Sequence, residues 1–302
     1  MHLLTSESLG AIPAQYLSTS PVRDAATINA LGASVTNPFA TLLPGSTLNG
    51  STISVSNLLR PYPEFSGVTE NYVNNGSSYF HQVAARFQKR FSAGLQFNVN
   101  WQHSRLMEKV SYLNNNPGAY NLENRVSASD RPNRLIVNET YDLPFGKGRR
   151  FLSNAHWLTD SLLGGWSVAG IYSFQSGAPL AWGNVIYLGG DLNYDPRNIN
   201  HTFDTTRFVT ASSAQLASNL RTFPTQFNNL RLDTTNNVDL NVGKAFSIFE
   251  RAKLIYRVEA FNLLNHAQFS APNLTPTASN FGVVTAQSNL PRALQMSLRL
   301  VF

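Results

Sequence analysis

Residues 95–102 read Leu-Gln-Phe-Asn-Val-Asn-Trp-Gln, and this stretch decides the fold. Its odd positions are all apolar and its even positions are all polar. On an α-helix the four apolar side chains would be scattered around the axis, whereas on a β-strand they form one continuous face. The stretch therefore predicts a strand with one wholly apolar face and one wholly polar face.

Six further segments repeat this alternation with few exceptions, of which Ile136 and Glu139 are two. The segments are 79–91, 134–143, 166–175, 237–242, 253–260 and 293–302. A strand that crosses a bilayer at a tilt needs about 9 to 11 residues, which is close to the length of most of these segments. The pattern predicts an all-β protein.

The connections between these segments alternate between short and long. Residues 91–94 and 247–251 form tight turns, and 144–150 is a Pro/Gly turn at the head of a modest link. The long segments are 105–132, 177–236 and 263–291. Outer-membrane barrels have short periplasmic turns and longer extracellular loops. We therefore expect an antiparallel meander of about seven or eight transmembrane strands, part of a larger outer-membrane β-barrel.

Two regions follow from this pattern. Residues 1–78 lack sustained alternation and are rich in Ser, Thr, Asn and Pro, so they are interpreted as an extracellular loop region with short strands. Residues 79–302 are interpreted as the C-terminal transmembrane strands with their long extracellular loops. No basic region followed by a compact apolar run lies in residues 1–17, and the sequence is therefore expected to be a fragment of an exported protein.

Composition supports a barrel wall. Charged residues make up only 13% of the chain and hydrophobic residues 42%, whereas soluble domains carry about 25% charge. Neutral polar residues replace the charge and suit a water-filled lumen. The net charge of +6 comes from basic residues dispersed near short turns, so no nucleic-acid partner is expected. The absence of cysteine excludes disulfides and thiolate chemistry.

Several segments resemble the Oar-like TonB-dependent receptors. They are 57–65 (NLLRPYPEF), 87–92 (FQKRFS), 129–134 (SDRPNR), 141–150 (YDLPFGKGRR), 163–166 (LGGW), 175–177 (QSG), 259–269 (EAFNLLNHAQF) and 280–282 (NFG). The run 259–269 is the most specific. The resemblance implies a cell outer membrane location and a plugged barrel of about twenty-two strands, of which this chain matches the last third. Nothing in it matches the plug or the TonB-contacting segment, so the TonB system is expected to act only through N-terminal parts outside this sequence.

No catalytic, cofactor-binding or metal site is predicted, and the protein is not expected to be an enzyme. The six histidines occur singly, without metal-binding spacing. Residues 191–195 have the opening spacing of a calcium loop, but Pro196 occupies the glycine position and Thr202 the glutamate position. The short Gly146–Gly148 stretch lacks the Ser or Thr of a phosphate loop.

Two groups of residues are candidates for function. The apolar positions of the last strand resemble the signal read by the barrel-assembly machinery, and they are Leu294, Met296, Leu298, Leu300 and Phe302. The loop 177–236 is the candidate for external recognition of an unknown transported substrate, through Trp182, Tyr187, Tyr194 and Phe203. Outer-membrane lipid is the expected partner of the apolar strand faces.

Two other interpretations stay open. A self-contained passive porin or structural barrel would need an even number of strands, against the seven counted. A secreted soluble β-sandwich that acts as a binding module would pack its apolar faces together and would carry more Lys and Glu outside.

Overall fold

The computed structural model describes residues 2–249 and 252–302, and within them the chain is mainly β-structure. The strands are β1 (His2–Ser8), β2 (Ser34–Thr36), β3 (Thr52–Ser54), β4 (Thr69–Ser92), β5 (Leu95–Lys109), β6 (Arg125–Val126), β7 (Asn133–Asp142), β8 (Trp166–Gln175), β9 (Pro179–Ala181), β10 (Gln226–Arg231), β11 (Thr235–Phe249), β12 (Ala252–Phe261) and β13 (Ala293–Val301). The α-helices are α1 (Ala25–Gly32), α2 (Val55–Leu58) and α3 (Trp157–Leu163). Short 3-10 turns lie at Ala14–Tyr16, Thr205–Arg207 and Ser212–Ala214.

One sheet dominates the molecule. Its strands pair in the order β1-β4-β5-β7-β8-β11-β12-β13, and β6 pairs beside β5. Every pairing in this sheet is antiparallel. From β4 onward the strands of the path follow one another in chain order, and only the short strands β6, β9 and β10 intervene. The predicted antiparallel meander is confirmed, and its seven main strands match the seven alternating segments, two of which extend one residue past the strand end.

The register places the apolar positions side by side. Leu95 lies opposite Tyr141, which lies opposite Val168. The same row continues through Val242, Val258 and Met296. Because a slip of one residue would move a whole strand's side chains to the other face, this row fixes one apolar face across six strands.

Strand boundaries differ from the sequence prediction at the long connections. Strand β5 continues to Lys109 and β11 begins at Thr235, so the predicted loops 105–132 and 177–236 are shorter than expected. Strand β4 begins at Thr69, ten residues before the predicted crossing, and β1 pairs with the segment Thr69–Ser77 at its start. The predicted turn 247–251 includes residues 250 and 251, which lie outside the described residues.

The hydrophobic core lies beside the sheet, at the end with the long connections. Its buried members are Leu180, Trp182, Val185, Phe203, Phe208, Leu230 and Phe281. All of them come from connections or from the small β9–β10 sheet. Among the described residues, no helix is long and apolar enough to span a membrane.

Candidate functional site

The long connections fold together into one body, which we call the loop lobe (residues 9–68, 110–132, 176–234 and 262–292). Backbone hydrogen bonds join its parts: Ala14 N donates to Pro117 O at 2.8 Å, and Leu220 N donates to Ser18 O at 2.8 Å. The last connection joins in through Thr202 N, which donates to Gly282 O at 3.0 Å. Segments far apart in the sequence therefore build a single packed structure.

Aromatic rings form the centre of the loop lobe. Trp182 stacks on Phe208 with ring centroids 5.0 Å apart and planes at 15°. Phe203 is wholly buried and meets Trp182 edge-on at 4.8 Å and Phe281 at 5.2 Å. Such ring pairs contribute about 0.5 to 1.5 kcal/mol beyond their buried area. They make the lobe a defined structure and not a set of independent loops.

A cavity of about 430 Å³ opens beside this aromatic core. Its apolar wall includes Trp182, Val185, Tyr187, Phe208, Phe223 and Phe227, and its polar groups come from Asn184, Asp191, Thr222 and Asn229. Small-molecule sites have volumes of about 300 to 1,000 Å³ with mostly apolar walls and a few polar groups. The cavity has the size and chemistry of such a site.

Three of the four predicted recognition residues line this cavity: Trp182, Tyr187 and Tyr194. Phe203 lies behind Trp182 and has no exposed surface, so it supports the wall and cannot touch a ligand. Sequence reasoning missed the stacked pair Phe223 and Phe227, whose centroids are 6.4 Å apart. The loop has no period, so no sequence signal distinguished these two rings.

The hydroxyl of Tyr194 is already engaged. It donates to the carbonyl of Arg231 at 2.9 Å. Burial raises the pKa of Tyr194 well above its usual range, and the nearby charges of Asp233 and Asp195 add to this effect. The phenol therefore remains a protonated donor. Tyr187 likewise donates to Gly190 O, so both residues present their rings, and not their hydroxyls, to the cavity.

A buried ion pair attaches the loop lobe to the sheet. Asp130 is 1% exposed, and its carboxylate accepts hydrogen bonds from Leu106 N at 2.7 Å and from Arg231 Nη2 at 2.7 Å. Arg231 Nη1 also donates to Gly177 O at 3.1 Å. Leu106 belongs to β5 and Arg231 to β10. Through these two contacts, Asp130 connects the end of the main sheet that carries the long connections to the cavity wall. This contact explains part of the segment 129–134 that the sequence singled out.

The segment 259–269 has a structural role as well. Asn262 is buried with φ of 49°, and its Nδ2 donates to His266 O at 3.2 Å and to Leu290 O at 3.0 Å. Its backbone N–H donates to Asp239 Oδ1 at 2.9 Å. Further along, Phe269 N donates to Asp233 Oδ2 at 3.0 Å. The segment 259–269 ends β12 and returns the chain to the loop lobe.

The last strand presents its apolar side to the surroundings. Leu294, Met296 and Leu298 are each more than 60% exposed, Leu300 is 54% exposed and Phe302 is 94% exposed. Strand β13 is the final member of the pairing order and pairs with β12. The predicted assembly signal therefore lies on an accessible edge, and its recognition by the assembly machinery stays a prediction.

The carboxylates with calcium-loop spacing are used in turns. Asp191 Oδ1 accepts from Asn193 N at 3.0 Å, and Asp195 Oδ1 accepts from Arg197 N at 2.9 Å. Within residues 2–249 and 252–302, no three His, Cys, Asp or Glu side chains are grouped to hold a metal ion.

Comparison with known proteins places the chain in a family. A family model described as an outer membrane beta barrel domain matches residues 16–295. No curated protein and no solved structure matches the chain.

Proposed function

The chain belongs to the outer membrane beta barrel domain family, and we propose that it forms the C-terminal wall and an external binding lobe of a TonB-dependent transporter. Its location is the outer membrane. Strands that cross a bilayer satisfy their backbone groups through pairing with their neighbours, as these antiparallel strands do. The apolar row from Leu95 to Met296 then faces lipid and the opposite side chains face the lumen.

The main support for the proposal is that the cavity of the loop lobe is attached directly to this wall of strands. The Asp130–Arg231 pair holds the cavity to the ends of the strands, at the side of the long connections. Long connections are extracellular in barrels of this kind, so the cavity faces the medium above the lumen. A ligand captured there is released next to the polar face of the wall.

The open edges of the sheet support a larger barrel. Strand β13 ends the pairing order, and among the described residues β1 pairs with Thr69–Ser77 of β4. The later part of β4, from Tyr79 to Ser92, lies along the other edge of the sheet. Backbone groups on an open edge cost several kcal/mol each in hydrocarbon, so we propose that further strands pair there.

We further propose that the protein is a transport component and not an enzyme. The buried carboxylates of the loop lobe serve structure, because Asp130 and Asp233 accept hydrogen bonds from backbone N–H groups. The proposed partners are outer-membrane lipid, the barrel-assembly machinery, an unidentified substrate, and the TonB system through parts of the receptor outside this sequence.

Uptake by living cells tests the proposal. Cells with and without the gene, each with and without an active TonB system, are grown on a complex medium, and compounds removed from the medium are identified by mass spectrometry. We expect at least one compound whose removal requires both the gene and TonB. Uptake that requires the gene but not TonB would replace this proposal with the passive porin.

Two variants locate the binding site. Tyr187→Ala removes a ring from the cavity wall and is expected to reduce uptake of that compound. Tyr72→Ala is the matched control, because Tyr72 is 79% exposed and lies outside the cavity. An equal loss in both variants would argue against the cavity as the binding site.

A further inference from the structure

The link between β7 and β8 carries apolar side chains that remain exposed within the described part of the chain. This rim link (residues 143–165) contains α3 and lies at the end of the sheet with the short connections. Trp157 is 67% exposed, Leu162 is 70% exposed, and Leu158 and Leu163 are each 52% exposed. So dense a group of exposed apolar side chains marks a surface that meets another apolar phase.

The position of Lys244 shows which face of the sheet the rim link covers. Lys244 lies opposite Trp166 on β8 and Tyr256 on β12. It is two residues from Val242, so its side chain leaves the sheet on the apolar face. Yet Lys244 is only 3% exposed. A segment of chain must therefore cross the apolar face at this point.

That segment is the C-terminal end of α3. The Lys244 ammonium donates to the carbonyls of Gly164 and Leu162. It also lies 5.0 Å from the centroid of Trp166 and 4.9 Å from that of Phe246. Trp166 Nε1 donates to the same Leu162 carbonyl at 2.9 Å. These contacts fix the end of α3 to the lipid-facing side of the wall, at its rim.

The enclosure of Lys244 also avoids the free-energy cost of a charge exposed to lipid. An uncovered ammonium on the lipid face would be unfavourable, by an amount that grows toward the middle of the bilayer. Two carbonyls and two ring faces surround the charge of Lys244 and stabilise it. The lysine therefore acts as the attachment point of the rim link, and the apolar side chains of α3 extend sideways from the barrel at that level.

We propose that the rim link is an interfacial anchor that lies among the phospholipid headgroups of the periplasmic leaflet. The apolar side chains of α3 enter the outer part of the acyl layer, continuous with the apolar face of the sheet. Helices with an apolar side and nearby basic residues bind membranes in this way. The inference uses the periplasmic position of the short connections, as the proposed function does, and needs no transport activity.

The charges beside α3 fit phospholipid phosphates. Lys147, Arg149 and Arg150 lie within four positions of one another in the rim link, and all three are exposed. Arg149 also forms an ion pair with Asp142, in which its Nη2 lies 3.7 Å from the carboxylate. The Arg150 guanidinium lies over the ring of Phe151, 5.5 Å from its centroid. Asp160 accepts a hydrogen bond from the backbone of Lys147 at 2.5 Å, which keeps the basic turn against α3. Cationic residues near an anionic membrane surface are attracted to it.

Spin labelling tests the anchor directly. Residues 1–302 contain no cysteine, so an introduced cysteine is the one labelling site in this part of the receptor. Leu162→Cys is labelled in the full-length receptor and reconstituted into vesicles of phosphatidylethanolamine and phosphatidylglycerol. Ser153→Cys, exposed in the rim link but polar, is the matched control for water, and Leu298→Cys on β13 is the reference for lipid. Collision rates with oxygen, which partitions into lipid, and with a water-soluble nickel complex are measured at each site.

We expect the ratio of oxygen to nickel collisions at 162 to match that at 298 and to exceed that at 153 several-fold. We also expect Lys244→Gln to narrow the spectral lines at 162, since α3 then loses the ammonium contacts with the Leu162 and Gly164 carbonyls. A ratio at 162 equal to that at 153 would place α3 in water and overturn the anchor. Neither result of the spin-label measurement depends on uptake, so the anchor and the transport proposal are tested separately.

Discussion

Neighbouring residues of one strand meet opposite environments, and a single charge is enough to detect this. Val99 lies in the apolar row with Phe87 and Val137. An arginine there, facing hydrocarbon, is expected to destabilise the barrel by about 2 to 4 kcal/mol. We predict that Val99→Arg lowers the urea midpoint of the protein in isolated outer membranes, measured by the gel mobility of unheated samples.

The control for this prediction is Thr140→Arg on the polar face, where the side chain is exposed. It lies opposite Gln96 and Ala169, so the new charge faces the lumen beside neutral groups. The midpoint is expected to change little. Equal sensitivity at the two positions would show that the two faces are assigned wrongly.

Replacing the aspartate by alanine is expected to destabilise the protein more in the buried ion pair than in an ion pair at the rim. Asp130→Ala leaves Arg231 without its buried partner, which costs about 3 to 5 kcal/mol. Asp142→Ala breaks a 3.7 Å pair with Arg149 that is partly exposed, and such pairs contribute about 0 to 1 kcal/mol. We predict that protease added to intact cells cleaves the loop lobe in the Asp130→Ala variant only. Cleavage in both variants would contradict a locking role for the buried pair.

Sequence predicted the faces of the strands but not these polar contacts. The side-chain period of a strand is fixed, so the positions of Val99 and Thr140 follow from counting. Asp130 and Arg231 are 101 positions apart, and nothing local indicates that they meet. Lys244 is one of the basic residues that the sequence places near short turns, and nothing in the sequence indicates that the rim link encloses it.

At the scale of elements, the connection that follows β8 tolerates no side chain at one glycine. A Cβ added to Gly177 would lie 1.8 Å from the carbonyl oxygen of Leu232, closer than any real contact. Gly177→Ala must therefore separate the start of the loop lobe from the β10–β11 connection, at a cost of roughly 1 to 3 kcal/mol or more. We predict a lower thermal midpoint and weaker uptake. Gly183→Ala, with nothing within 4 Å of the new Cβ, is the control and is expected to match the unmodified protein.

The elements that were not predicted from the sequence lack the alternation of apolar and polar residues on which the prediction relied. The start of β4, before Tyr79, was interpreted as loop because it lacks sustained alternation. It pairs with β1 outside the apolar rows, where alternation is not required. Helix α3 has seven residues, which is too short for a helical period to be recognised. The seven main strands were found because lipid on one side and water on the other impose the alternation.

At the scale of the whole molecule, the wall has two open edges. We predict that residues 1–302 refolded alone in detergent give neither a defined single-channel conductance nor resistance to protease. Seven crossing strands, if closed, would enclose a lumen narrower than that of an eight-stranded barrel, which side chains already fill. Inward groups such as Arg86, Arg134 and Arg257 would not fit. A stable monomer with a defined conductance would instead show a self-contained porin.

The orientation of the molecule gives a further prediction. An epitope tag inserted after Asn198, in the loop lobe, is expected to bind antibody on intact cells, because long connections are extracellular. A tag after Gly148, in the rim link, is expected to bind antibody only after the outer membrane is permeabilised. Labelling of the second tag on intact cells would invert the molecule and place the loop lobe in the periplasm.

The length of β4 has a consequence for the life of the cell. Its 24 residues extend about 80 Å at about 3.3 Å per residue, and even at a tilt of about 45° they rise well above a hydrocarbon layer about 30 Å thick. If the long connections are extracellular, as we propose, an antibody or a phage would meet the loop lobe before it meets the barrel. We expect selection by such agents to act on the exposed side chains of the lobe. The buried Asp130–Arg231 attachment would allow those surfaces to change while the membrane wall beneath them stays the same.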